Sequence, residues 1–223
     1  MTPRQGERRA AILAGGTAVY TSALQAAVAG CALVIAADGG LRHALAVGAK
    51  PALLIGDLDS VAAGDIASFP GIEILKHPAE KEEIDTELAV AEALARGAVD
   101  LLLVGGTGNR WDHSLTNLAL AARLAGEGTA CELTDGVSRI VMVAPGLPWT
   151  GDLEAGDEVG LVPVAGDVTG VTTSGVEYPL REATLRYGAG RGASNRATGG
   201  LVRVACQRGT IALTLRPLNR SER

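Results

Sequence analysis

The stretch Leu53-Leu54-Ile55-Gly56-Asp57-Leu58-Asp59-Ser60 is a short unbroken apolar run that stops at a glycine and then delivers two carboxylates two residues apart. An apolar run of this length, bounded by turn residues, fits a strand buried on both faces, as in parallel sheets covered by helices. In open sheets of that kind ligands bind beyond the carboxyl ends of the strands. Asp57 and Asp59 are therefore expected at the rim of a ligand crevice. Alternate residues of an extended chain point the same way, and two carboxylates on one side repel each other unless a cation neutralises them. Mg²⁺ suits that demand, because it takes oxygen ligands, commonly one or two carboxylates with waters and substrate phosphates.

Working outward, similar apolar runs occur at 11–14, 33–37, 72–75, 101–104 and 130–133. Between them, alanine- and leucine-rich helical patterns lie near 21–29, 41–47, 86–96 and 114–125. This alternation predicts an α/β fold with a mainly parallel sheet and helices on both faces. From about Ser138 the rhythm changes. Short segments at 140–144, 158–163, 201–205 and 210–215 are separated by Gly, Pro, Asp and Asn, with no long helical pattern. That half reads as an antiparallel β-sandwich domain. The expected organisation is an α/β domain over 1–136 and a β-sandwich domain over 137–223, with a frayed tail at 219–223.

Three further acids fall at the same kind of place. Asp38 follows the run 33–37 and precedes Gly39-Gly40, Asp85 opens the helix after 72–75, and Asp112 follows the glycine-rich loop after 101–104. Most of the five acids therefore converge on one rim, and Asp85 can add a third oxygen to the Asp57–Asp59 pair. Taken singly, Asp38 and Asp85 are equally compatible with a helix cap or a dipole partner.

The loop Gly105-Gly106-Thr107-Gly108-Asn109-Arg110-Trp111-Asp112-His113 joins a strand to a helix. It lacks the Gly-Lys-Ser/Thr ending of a P-loop and the third glycine of a dinucleotide fingerprint, which disfavours an oxidoreductase. Its glycines, with Thr107 and Gly108, free backbone N–H groups to approach an anion at a helix N-terminus. Arg110 adds a planar donor fork suited to phosphate. His113 and Asn117 share a helix face, which fits a ligand-facing patch and equally a helix cap or a core histidine. Lys81, within Glu80-Lys81-Glu82-Glu83, is either a phosphate contact or one charge of a solvated loop, and the physics of the string prefers the loop. His43 and His77 have no partners at metal spacing and read as structural.

Composition narrows the class. With 47 % apolar residues but only two Trp, three Tyr and one Phe, the core must be built from Ala, Val, Leu and Ile. A net charge of −5 argues against nucleic-acid binding, which needs a basic surface. Cys31, Cys131 and Cys206 are odd in number and show no metal spacing, so they read as reduced, buried thiols of a cytoplasmic protein. No apolar run approaches the ~18–20 residues of a membrane span. Arg4, Arg8 and Arg9 are followed by too short an apolar stretch for an export signal.

Taken together, the strings Ala37-Asp38-Gly39-Gly40, Gly56-Asp57-Leu58-Asp59-Ser60, Asp85-Thr86-Glu87-Leu88-Ala89 and Gly105 through His113, continuing to Asn117, resemble the thiamin pyrophosphokinase family. In the second half, Thr172 through Leu180 and Ser194-Asn195 resemble that family's thiamin-side segments. The resemblance implies transfer of the diphosphate of ATP to the hydroxyl of thiamin, giving thiamin diphosphate and AMP. It also implies a homodimer whose sites lie between the catalytic domain of one subunit and the β domain of the other. Asp57, Asp59 and Asp85 would hold Mg²⁺. Asp38, Arg110 and Asp112 would line the transfer site, with Asp38 and Asp112 both open as the group that handles the attacking hydroxyl. Tyr178 would lie against the thiamin rings, and Ser194 and Asn195 would contact the vitamin.

Three positions depart from the family's usual pattern. Glu82 stands for Asp, Ile84 for Thr, and Asn109 for a frequent glycine, a change a left-handed conformation tolerates. Two other readings are compatible with the same residues. One is diphosphate transfer to another small alcohol such as a pterin, and the other is a non-catalytic nucleotide or thiamin sensor. A sensor has no need of the full acid set.

Overall fold

The computed structural model describes residues 8–108 and 110–218. Arg4, Asn109 and the expected frayed tail at 219–223 lie outside them. The chain divides into two compact units, Met1–Leu118 with Leu133–Gly136, and Ala119–Glu132 with Val137–Arg223.

In the first unit the order is β1 (Arg9–Leu13), α1 (Ser22–Ala29), β2 (Leu33–Ala37), α2 (Leu41–Val47), β3 (Leu53–Gly56), α3 (Ala63–Ala67), β4 (Glu73–Lys76), α4 (Asp85–Ala95) and β5 (Asp100–Val104). These strands pair in parallel in the order β5-β1-β2-β3-β4. The unbroken apolar runs arise because the central strands are covered on both faces. Ala11, Leu13, Leu102 and Val104 pack with Leu24 and Val28 of α1 and Ala44 of α2. The alternate residues Ala10, Ile12, Leu101 and Leu103 are also fully buried, and α4 packs across β1, β2 and β3.

Helix ends follow local chemistry. Thr21 caps α1 by accepting from Leu24 N at 3.1 Å, and α2 stops at Gly48 in the left-handed conformation, φ 68°. At α4 the capping residue is Ile84, which has no side-chain acceptor. Only the return half of a capping box is made, with Ile84 N donating to Glu87 Oε2 at 3.0 Å. The sequence reading missed α3, whose single turn is too short to show a helical period.

After α5 (Trp111–Gly126) and β6 (Ala130–Thr134) come β7 (Arg139–Val143), β8 (Trp149–Leu153), β9 (Glu158–Pro163), β10 (Val168–Ser174), β11 (Ala183–Leu185), β12 (Asn195–Arg196), β13 (Gly200–Ala205) and β14 (Ile211–Arg216). In the second unit β12-β9-β14-β7 pair antiparallel, and β11-β10-β13-β8 form another antiparallel sheet. One core, including Val159, Leu161 and Leu213 from the first sheet and Val171, Val202 and Val204 from the second, lies between them. The unit is a β-sandwich. No helix among the described residues is long and apolar enough to cross a membrane.

Candidate functional site

The carboxyl ends of β1, β2, β3 and β5 open into one cleft of about 480 Å³, lined by residues of the first unit alone. Each strand delivers a short polar segment. Those segments are Gly15-Gly16-Thr17 after β1, Asp38 after β2, Asp57 to Ser60 after β3 and Gly105 to Gly108 after β5. The helix starts add Asp85 and Thr86 from α4, and Arg110, His113, Ser114 and Asn117 from α5 and the residue before it.

The acids meet through unusual backbone. Asp38 opens a 3₁₀ turn with φ 44°. A Cβ on Gly40 would stand 1.8 Å from the carbonyl oxygen of Leu13, so only glycine allows this turn to lie against β1. Asp57 and Asp59 do not converge by extended alternation, as the sequence suggested. Leu58 is left-handed, φ 67°, and Asp59 N donates to Asp57 Oδ1 at 3.1 Å, so the pair sits on a tight Asx turn. The Leu58 side chain packs with the cluster of Ala36, Leu41 and Leu54 and anchors that turn.

Carboxylate oxygens of Asp38, Asp57 and Asp59 all lie within 4.8 Å of one another. Asp38 Oδ2 accepts from Ser60 Oγ, while its Oδ1 is buried with no hydrogen-bond partner. Like charge drives the Asp59 carboxyl above its ordinary pKa, with Asp57 the largest cause and Asp38 and Asp85 adding to it.

Asp85 lines the same cleft, but its nearest charge is cationic. Lys81 Nζ lies 2.8 Å from Asp85 Oδ1, with the lysine side chain only 12 % exposed. The contact is one of charge and not an aligned hydrogen bond. The string around Lys81 is an exposed loop at Glu80, Glu82 and Glu83, but Lys81 itself turns in toward Asp85 rather than out to solvent.

Asp112, expected on the same rim, does not line the cleft; it is exposed and pairs with Arg110, which does, through two hydrogen bonds, Nε to Oδ1 at 3.0 Å and Nη2 to Oδ2 at 2.5 Å. The guanidinium holds the Asp112 carboxyl well below the usual carboxylate range. Gly108 N donates to Ser114 Oγ, which donates to Arg110 O. Asn117 is buried. Its Nδ2 donates to Gly106 O at 2.7 Å, and its Oδ1 has no partner. His113 is exposed and lines the cleft.

Of the residues expected to contact the vitamin, all three belong to the second unit. Tyr178 is 69 % exposed. Asn195 is buried and spends its carboxamide on backbone, accepting from Tyr178 N and Arg196 N and donating to Tyr178 O at 2.9 Å. Ser194 is exposed with φ 60°.

Sequence reading missed Gly15-Gly16-Thr17, Arg42, Ser60 and Thr86, all of which line the cleft. A signal for the first was present. Gly-Gly-Thr occurs twice, at 15–17 and 105–107, each time directly beyond an apolar run.

Fold and cleft together define an α/β protein with a separate β-sandwich, whose parallel strand ends gather carboxylates at one polar cleft. A family model described as the thiamin pyrophosphokinase catalytic domain matches residues 24–133, and one described as the thiamin pyrophosphokinase vitamin B1 binding domain matches 150–211. This chain belongs to the thiamin pyrophosphokinase family. The thiamine pyrophosphokinase of Bacillus subtilis (strain 168) is 27 % identical over 164 residues, 70 % of this chain and 74 % of that protein. The solved structure of thiamine pyrophosphokinase from Bacillus subtilis superposes with a TM-score of 0.83 at 23 % identity, over 94 % of this chain and 99 % of the other. That of thiamin pyrophosphokinase from Geobacillus thermodenitrificans gives 0.79 at 25 % identity, over 95 % and 99 %.

Proposed function

We propose that this chain transfers the diphosphate of ATP to the hydroxyl of thiamin, releasing AMP and thiamin diphosphate. The single observation that carries the proposal is the acid cluster of Asp38, Asp57 and Asp59, placed at strand ends in a protein of this family. The α/β unit is the catalytic part and the sandwich the thiamin-binding part. Tyr178, Ser194 and Asn195 are the vitamin contacts of the latter, with the buried Asn195 also holding the Tyr178 backbone.

The donor set fits Mg²⁺. It is all oxygen, its members repel one another enough to raise Asp59, and one buried oxygen of Asp38 lacks a donor. Asp57 and Asp59 would hold the ion with Asp38, and Asp85, the fourth acid of the cleft, stands beside them. When bound, such an ion neutralises phosphate oxygens as charge develops on them.

The rest falls to the chain's own groups. The thiamin hydroxyl oxygen forms a bond to the β-phosphorus, the bond from that phosphorus to the oxygen bridging the α-phosphate breaks, and AMP departs with the bridging oxygen. The loose transition state of such transfers asks for positioning and charge more than for a strong base, and the hydroxyl proton passes to water. Arg110 and Lys81 supply positive charge to the phosphates, while Thr107, Gly108, His113 and Asn117 border them. Asp38 and Asp112 both stand as acceptors for a hydrogen bond from the attacking hydroxyl, and the Arg110 hydrogen bonds pull the Asp112 carboxyl down from its ordinary pKa.

Homodimer formation and a cytoplasmic location complete the proposal. The first rests on the family resemblance, the second on cysteines that are odd in number and show no metal spacing; of these Cys131 is buried as expected, while Cys31 and Cys206 are half-buried. Incubation with ATP, Mg²⁺ and thiamin tests the activity. AMP and thiamin diphosphate in equal amounts are expected, whereas ADP and thiamin monophosphate, or no product at all, would overturn it.

A further inference from the structure

His43 is 1 % exposed, yet both of its ring nitrogens have polar partners. Tyr20 Oη lies 2.8 Å from Nδ1, and the carbonyl oxygen of Gly16 lies 3.0 Å from Nε2. A carbonyl can only accept, so Nε2 carries the proton, and Nδ1 accepts from the tyrosine hydroxyl. The neutral ring is then held in the Nε2–H tautomer, with Nδ1 as the acceptor for Tyr20. Burial and the neighbouring Arg42 act in the same direction, pushing its pKa down. The carbonyl of Gly16 takes a second donor, Arg42 Nη2, at 2.7 Å, and the same nitrogen reaches Gly15 O.

What these donors hold is a wall of the cleft. β1 and β5 are parallel neighbours, and each leads into a Gly-Gly-Thr loop. The two loops are zipped together, Gly16 N donating to Gly105 O and Thr17 N to Thr107 O, both at 2.9 Å. The fit leaves no room for a side chain. A Cβ on Gly16 would stand 2.2 Å from the oxygens of Gly105 and Thr107, and one on Gly105 would stand 2.9 Å from His43 Nε2. His43 thus sits against both loops at once, on the side away from solvent.

We propose that His43, oriented by Tyr20, is a positioning residue for the nucleotide: its Nε2–H pins the Gly16 carbonyl and keeps the paired Gly-Gly-Thr loops in register as one surface for the polyphosphate. It touches no substrate itself. The proposal rests on the reading of the cleft as the ATP site. That part of the wall is rigid before ligand arrives, so little ordering remains to be done on binding.

The test compares His43→Leu, which removes both ring partners, with His43→Gln, which keeps a donor at the reach of Nε2, and with Tyr20→Phe. In His43→Leu the KM for ATP is expected to rise roughly tenfold, the size of a lost buried hydrogen bond, while kcat and the KM for thiamin change less than about threefold. His43→Gln should recover most of the ATP affinity, and Tyr20→Phe should shift it the same way by a smaller factor. Amide hydrogen exchange of Gly16 and Thr17 should accelerate in His43→Leu, with β1 and β5 unchanged. An equal loss in kcat with an unaltered KM for ATP, no recovery in His43→Gln, or unchanged exchange at Gly16 and Thr17 would each overturn the proposal. If the wild-type protein makes no AMP, it is the nucleotide reading that fails, and the exchange measurement still decides whether His43 pins the loop. Should His43→Leu not fold, Tyr20→Phe, whose side chain is partly exposed, carries the same measurements.

Discussion

A Cβ built on Gly56 would lie 3.0 Å from the Cβ of Asp38. The same missing methyl would also stand 3.2 Å from the Asp85 carboxyl, and Gly56 adopts φ 145°. The last residue of β3 is thus the gap that lets two acids from neighbouring elements approach each other. Gly56→Ala forces a glycine-only conformation and a collision together, a change of about 1–3 kcal/mol. Thermal unfolding should show that loss, and the Mg²⁺ concentration for half-maximal turnover should rise. A variant with unchanged stability and unchanged metal dependence would show that the close approach is dispensable.

The crowding of like charge has a sign that can be measured without substrate. Asp59 has a folded-state pKa above its unfolded value. The folded protein therefore binds more protons than the unfolded one between those values, and stability falls as pH rises through that window. In EDTA, Asp59→Asn should melt higher than wild type at neutral pH, and the gap should close as pH drops through the carboxylate range. Added Mg²⁺ should stabilise wild type more than the variant. A variant melting lower than wild type in EDTA would contradict the repulsion.

Departure from the family's pattern at position 84 leaves α4 with half a capping box. Ile84→Thr supplies the missing acceptor for the backbone at the start of the helix. Chemical denaturation should show a gain of about 0.5–1 kcal/mol, with turnover unchanged. A loss would mean that the half-buried isoleucine contributes more by packing than a hydroxyl does by capping.

Tyr178 is exposed, and its backbone is clamped on both sides by the Asn195 carboxamide. Tyr178→Ala should weaken thiamin binding roughly tenfold by loss of an aromatic contact, with ATP binding little altered. Asn195→Ala should move thiamin binding in the same direction, because it frees the Tyr178 backbone. Equal effects on both substrates, measured by calorimetry, would assign Tyr178 a structural part instead.

Much of this was legible from residue order. The apolar runs marked β2, β3 and β5 closely because strands buried on both faces must be continuously apolar. The acids beyond them were visible for the same reason. Backbone conformation was less so. The left-handed Leu58 is indistinguishable in sequence from an extended one, and so the Asp57–Asp59 turn was misread. Ser60 and Arg42 reach the site only through folding, being partnered with Asp38 and with the Gly15 and Gly16 carbonyls. In the second unit β8 and β10 escaped notice. Trp149–Leu153 contains Gly and Asp, and Val168–Ser174 shows mostly Thr, Ser and Gly between its three buried valine and threonine positions. His43 looked structural by spacing, because spacing carries no information about a carbonyl delivered by another loop.

Asp57→Asn, assayed for AMP release at saturating Mg²⁺, ATP and thiamin, tests the carboxylate cluster most directly. The account predicts a fall in turnover of about two orders of magnitude or more, the size seen when one electrostatic stabiliser of a transition state is removed, in a protein that still folds. Turnover near that of the wild type under those conditions would contradict it.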